Sequence, residues 1–226
     1  MSYKNHFKKT RSFLALTLLF FSFSTTESTQ AKPYCNDLAS CDTAALSLSD
    51  FNRADWGRWL DLDHDCQNMR SEVLIRFSSS KIKFAESPNW YTPKTADRGG
   101  PGRCQVIAGK WLDPYSNHWY VNAPDLDIDH VIPLENAHRS GGARWTKKQK
   151  YQFANDYENL LPVDKSLNRQ KGSKDPSEWI PPNRLFICAY VERWVKLKQK
   201  YRLSYTQRER SALSALHRSY CPPHSP

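Results

Sequence analysis

Hydrophobic and polar positions along this chain change their rhythm several times. Lys4, Lys8, Lys9 and Arg11 precede an apolar run from Phe13 to Phe23, and a small polar stretch follows, from Ser24 to Ala31. That order predicts a secretory signal peptide over residues 1–31, cleaved after Ala31. The run is well short of the roughly 20 residues a helix needs to cross a bilayer, so the mature chain is expected to keep no membrane anchor. Pro33 to Asp50 reads as a tethered arm. Val73, Leu74 and Phe77 recur at helical spacing, which predicts a helix over 65–77 behind an acidic cap.

The rhythm breaks at Arg98, where RGGPGR to Arg103 is loop chemistry. Cys104 to Trp111 and Trp119 to Val121, separated by the turn-rich Asp113 to Asn117, predict a hairpin. Leu126 to Ile132 is a further extended piece, Thr146 to Tyr157 a helix, and Leu160 to Val163 a short strand running into a loop through Gly172. Leu185, Cys188, Val191, Trp194, Val195 and Tyr201 place one face of a long helix in a core, and a last helix spans 206–220. The expectation is an α+β chain. An arm and helical extension at 32–97 would pack on a domain at 98–226.

Charge adds a partner. Removing residues 1–31 takes away four of the 33 Lys and Arg and one of the 23 Asp and Glu, leaving a net +7. Residues 139–226 hold eighteen basic and seven acidic side chains, so the second half is the electropositive half. A polyanion is the expected partner. The six cysteines, Cys35, Cys41, Cys66, Cys104, Cys188 and Cys221, all follow the cleavage point. Their even number in an exported chain reads as disulfides, and no CxxC spacing suggests zinc. Among fifteen pairings, local closure favours Cys35 with Cys41, and Cys188 with Cys221 would tie the C-terminal helices together.

Candidate chemistry sits in two segments. In Asp127-Ile128-Asp129-His130-Val131-Ile132-Pro133, strand alternation sends Asp127 and Asp129 to one face and His130 to the other, and a bend after the strand would let Asp129 and His130 converge. The second segment runs through Glu158, Asn159, Leu160 and Leu161 to Asn168, Arg169, Gln170, Lys171 and Gly172. Imidazole titrates near neutrality and suits proton transfer, whereas a carboxylate with an amide oxygen suits a hard cation. A protein that only binds or imports DNA would need the basic surface and could lose all of these.

Together the segments resemble the HNH, or His-Me finger, nucleases, especially the secreted branch reading DIDHVIPL, FANDxxNLLPV and NRQKGxKDPxEW. The match runs in order from Asp127 through Trp179, with outlying likeness at Gly109 to Tyr115 and Cys188 to Tyr190. The resemblance implies a ββα-metal (HNH) core, with the N-terminal helical extension and C-terminal helices packed around it. It implies His130 as general base, Asp129 and Asn168 as ligands of one Mg2+, and Asn159, rather than Asn155, as brace of the loop carrying His130. Mn2+ or another divalent ion could replace Mg2+. Lys171, Arg169, Lys174, Arg139 and Arg144 are expected to grip phosphate, Lys171 foremost. Such contacts fix register without reading sequence. The expected protein is a secreted or periplasmic monomer acting on DNA, with RNA still open.

One motif lies outside this reading. Asp61, Asp63, Asp65 and Glu72 occupy positions one, three, five and twelve of an EF-hand loop, but Cys66 stands where that loop wants glycine. Helix capping by Asp65 is the favoured explanation.

Overall fold

The computed structural model describes residues 51–85 and 104–222. The expected signal peptide and arm, Cys35, Cys41 and the expected RGGPGR loop lie outside them.

Two small antiparallel sheets organise the described residues. In the first, β1 (Lys83–Phe84), β2 (Val106–Leu112) and β3 (Trp119–Asn122) lie in chain order. The expected hairpin is β2–β3. Its turn is built by Asp113, whose carboxylate accepts from the Tyr115 and Ser116 amides at 2.9 and 3.0 Å, while Asn117 takes φ 61°. Asparagine tolerates that left-handed conformation. In the second sheet, β4 (Leu126–His130) pairs with β5 (Leu160–Asp164), from Leu126 opposite Asp164 to His130 opposite Leu160.

Around the sheets lie α1 (Met69–Phe77), α2 (Leu134–Arg139), α3 (Lys147–Ala154), α4 (Lys165–Lys171), α5 (Ile187–Lys200) and α6 (Gln207–Tyr220). Helix α1 starts later than expected. Its cap is Asn68, which accepts from the Ser71 amide at 3.2 Å, so Asp65 does not cap it. Asp65 instead accepts from the Gln67 amide in the loop before the helix. The expected loop through Gly172 is also corrected, because most of it is α4. Asp164 caps that helix through the Leu167 amide, and Gly172 ends it at φ 54°.

The second sheet separates two apolar clusters. Leu126, Ile128 and Leu160 join Met69, Val73 and Leu74 of α1 with Val106 and Trp111 of β2. Leu161 and Val163 turn the other way, toward Phe153, Tyr190, Val191 and Trp194. With both faces covered, β5 needs the near-continuous apolar run Leu-Leu-Pro-Val rather than alternation. Each such side chain contributes about 1.5–3 kcal/mol on burial. Disulfides fasten the periphery: Cys66–Cys104 joins the loop before α1 to the entry of β2, and Cys188–Cys221 ties the start of α5 to the end of α6.

Candidate active site

Strand β4 delivers three ionisable side chains, and its pleat divides them. Asp127 and Asp129 face α4. Asn168 donates from Nδ2 to Asp127 Oδ2 at 3.2 Å. Three residues further along the same helix face, Lys171 reaches Asp129 Oδ1 at 2.9 Å and the His130 carbonyl at 2.8 Å. The other Asp129 oxygen accepts from the Tyr115 hydroxyl at 2.5 Å. Lys171 and Tyr115 are fully buried, and Asp129 is 4% exposed. Burial pushes the Asp129 carboxyl up and the Lys171 ammonium down, and their mutual attraction works against both shifts. Tyr115 is raised well above its ordinary value, first by burial and then by the Asp129 charge.

His130 points to the opposite face. Its ring stacks on Trp59, with centroids 5.3 Å apart and planes 10° from parallel. Its Nε2 lies 2.9 Å from the Ala154 carbonyl. A carbonyl only accepts, so Nε2 carries the proton and Nδ1 keeps the lone pair. Burial, reinforced by the Arg53 and Lys171 cations, lowers the imidazole to about 3, against the weaker pull of that carbonyl. The ring is therefore neutral across the working pH range.

The segment beyond His130 is braced by Asn159, which is wholly buried. Its Oδ1 accepts from the Ile132 amide at 2.8 Å and its Nδ2 donates to the Ile132 carbonyl at 3.3 Å. One side chain thus satisfies both backbone groups of the residue two past His130. Asn155 supports the covering segment instead, accepting from the Leu60 amide at 3.1 Å. That bond holds the neighbour of Trp59.

Several expectations change here. Asn168 meets Asp127, and among the described residues no hydrogen bond joins it to Asp129. Asp129 and His130 keep to opposite faces of β4 through its last pair with β5, Asp129 against Lys171 and His130 against Trp59, and the chain bends only beyond them, at Val131 and Ile132. Lys171, expected to grip phosphate, faces inward as the partner of Asp129. The outer cations fare differently. Arg169 is exposed on α4 and lines an open groove with Lys165 and Tyr120. Arg139 pairs with Glu135 and donates to Ser173 Oγ at 3.1 Å, which sets it beside exposed Lys174. Arg144 is exposed on the short turn Gly142–Arg144. Sequence reasoning missed Tyr115 and Trp59, which reach the site across long stretches of chain. Asp127 could have been found, since alternation already placed it on the Asp129 face.

Comparison with known proteins adds an independent line. The family described as GmrSD restriction endonucleases, C-terminal domain, matches residues 82–216. The chain belongs to that family. Membership points to endonuclease chemistry and a nucleic-acid substrate, and its range takes in β4, β5, α4 and every site residue except Trp59. An uncharacterized secreted protein of Arthroderma benhamiae is 43% identical over 168 residues, covering 74% of each chain. No solved structure matches. Among the described residues, no helix is long and apolar enough to cross a membrane.

Proposed function

We propose that this GmrSD-family chain is an exported endonuclease of the HNH type that uses one divalent cation and hydrolyses nucleic-acid backbones, DNA foremost, with little sequence preference. The observation that carries the reading is the tautomer of His130. With Nε2 committed to the Ala154 carbonyl, a neutral imidazole presents Nδ1 as a proton acceptor. Strand β4, strand β5 and helix α4 then serve as the ββα unit, in a nuclease domain at 98–226 with residues 32–97 as its extension.

The donor set on the α4 face fits a hard cation. Asp127 and Asp129 offer carboxylate oxygens, and the Asn168 amide oxygen accepts from no donor among the described residues. Each Asp129 oxygen keeps a lone pair beyond its bond to Lys171 or Tyr115. Such oxygen ligands suit Mg2+ or Mn2+. When bound, the cation supplies stabilisation for the charge that grows on the phosphoryl and leaving oxygens. His130 takes the proton of the attacking water at Nδ1. Asp129 and His130 are neighbours in sequence, about 3.8 Å apart at Cα, so a phosphodiester reached from both faces lies over the end of β4. Asn159 holds the backbone beyond the base, and Trp59 covers the ring. Lys171 acts through Asp129, fixing it and tying α4 to the strand end. Arg139, Arg144, Arg169 and Lys174 hold phosphates from outside, and contacts of that kind position without reading bases. Export accords with the N-terminal pattern, the disulfides and the secreted relative.

A plasmid-nicking assay tests the proposal. Wild type should cut in Mg2+ or Mn2+ and stop in EDTA, and His130→Ala should lose about 10²–10⁴-fold in rate. Asp127→Asn and Asp129→Asn, assayed side by side, rank the two acids as ligands. If neither wild type nor His130→Ala cuts DNA or RNA while both still bind it, the chain is a nucleic-acid-binding protein and the enzyme reading is lost.

A further inference from the structure

The loop between Trp59 and α1 gathers three carboxylates that the nuclease reading leaves unused. Asp61, Asp63 and Asp65 each place a carboxylate oxygen within 4.8 Å of the other two. Oxygens sharing one Ca2+ at about 2.3–2.6 Å must lie within about 5 Å of each other, so a single ion can touch all three. Proximity alone would be ordinary for an acidic surface. The second observation is Asp61 Oδ1, which is buried and has no hydrogen-bond partner. A buried carboxylate oxygen without a donor is costly, and this one belongs to a carboxylate of the three-acid group. The other Asp61 oxygen accepts from the Cys66 amide at 3.1 Å, which holds the carboxylate in place. None of the ion pairs among the described residues involves Asp61, Asp63, Asp65 or Glu72.

The objection raised by the sequence also falls. An EF-hand loop turns sharply at its sixth position, where glycine is usual. Cys66 occupies that position with φ 79°, and its disulfide to Cys104 fastens the turn from outside. Glu72, at the twelfth position, stands in the first turn of α1 and accepts from the Tyr157 hydroxyl at 3.1 Å.

We propose that Asp61, Asp63 and Asp65 form a calcium site separate from the nuclease centre. Its ion is structural. Trp59, which stacks on His130, is two residues before Asp61, and the Met69 amide donates to the Leu60 carbonyl at 2.7 Å, closing the loop at its base. Calcium would stiffen this loop and thereby hold Trp59 over the imidazole.

The test uses the oxidised mature chain stripped of metal, with CaCl2 as probe, followed by calorimetry and thermal melting. A dissociation constant of about 10⁻⁴–10⁻³ M, usual for extracellular modules, is expected. Saturation should raise Tm by on the order of 5 °C, and Mg2+ at equal concentration should give much less. Asp63→Asn and Asp65→Asn change exposed positions and should fold, yet lose the calcium response. Asn168→Ala should keep it, which separates this site from the proposed nuclease cation. No heat and no Tm shift up to about 10 mM Ca2+, beyond the weakest such site, overturns the proposal. So does a full response in both loop variants.

Discussion

Among the described residues two lysines are wholly withdrawn from solvent, Lys171 in the site and Lys198 among the C-terminal helices, and each sits on a buried carboxylate. The distances barely differ: Lys171 lies 2.9 Å from Asp129, and Lys198 lies 3.0 Å from Glu209. The surroundings do differ. Lys198 spends its three protons on Glu209, Ser140 Oγ at 2.8 Å and the Ser204 carbonyl at 2.9 Å, while Trp194 donates to Glu209 at 2.6 Å. That network is saturated, and it clamps α5 to α6 and to the end of α2. Lys171 has two acceptors, Asp129 and the His130 carbonyl, both on the last two residues of β4. Burial weakens both ammonium groups, and each depends on its carboxylate to stay charged. One pair therefore fixes the scaffold, and the other is set where chemistry is proposed.

The sharpest way to part them is to remove each cation. Lys198→Met and Lys171→Met should each cost about 3–5 kcal/mol in urea unfolding, because either strands a buried carboxylate. Adding Glu209→Leu should recover most of the Lys198→Met loss. The pairs should then separate on rate. Per folded molecule, Lys198→Met should nick plasmid at the wild-type rate, whereas Lys171→Met should lose about 100-fold, as expected when a positioning contact next to the chemistry goes. Equal rates for the two variants would place Lys171 in the scaffold as well.

A smaller effect is expected from Tyr115→Phe, which removes one hydrogen bond to the Asp129 charge and should cost about 1.5–3 kcal/mol. Since Lys171 remains, the rate should fall much less than in Lys171→Met.

Acid probes the other face of β4. His130 lies below its ordinary value in the folded chain, at about 3, so between roughly pH 6.5 and 3 the unfolded chain binds a proton that the native state refuses. The stability it confers is complete above pH 6.5 and is lost as the pH falls through that window. A His130→Ala variant should show a Tm less sensitive to acid over the same range. Parallel curves would mean that the ring is not held neutral by burial.

How far the sequence alone reached depends on the range of each contact. The alternation in Leu126 to His130 and the apolar run at Leu160 were local signals, and they gave both strands. The long helices were equally plain, because one face of each must be apolar. Helix α4 was not, because its seven residues contain one large apolar side chain, Leu167, and periodicity has nothing to act on. Only its end residues, Asp164 and Gly172, marked it. Asn68 escaped notice because three acids stood just before it, and acids suggest a cap more loudly than an asparagine does. The pairing of Asn168 with Asp127 turned on which turn of α4 lies over which residue of β4, and nothing local to either segment sets that. Tyr115 and Trp59 were hidden for the same reason, since each arrives from another element.

The flat stacking of Trp59 on His130 gives the protein an optical reporter of its own. Indole emission responds to what lies against its face, so light from this one tryptophan should report any change in its contact with the ring beneath it. The contribution can be isolated from the other seven tryptophans by difference against Trp59→Phe. Substrate binding at the end of β4 could then be followed spectroscopically before any strand is cut.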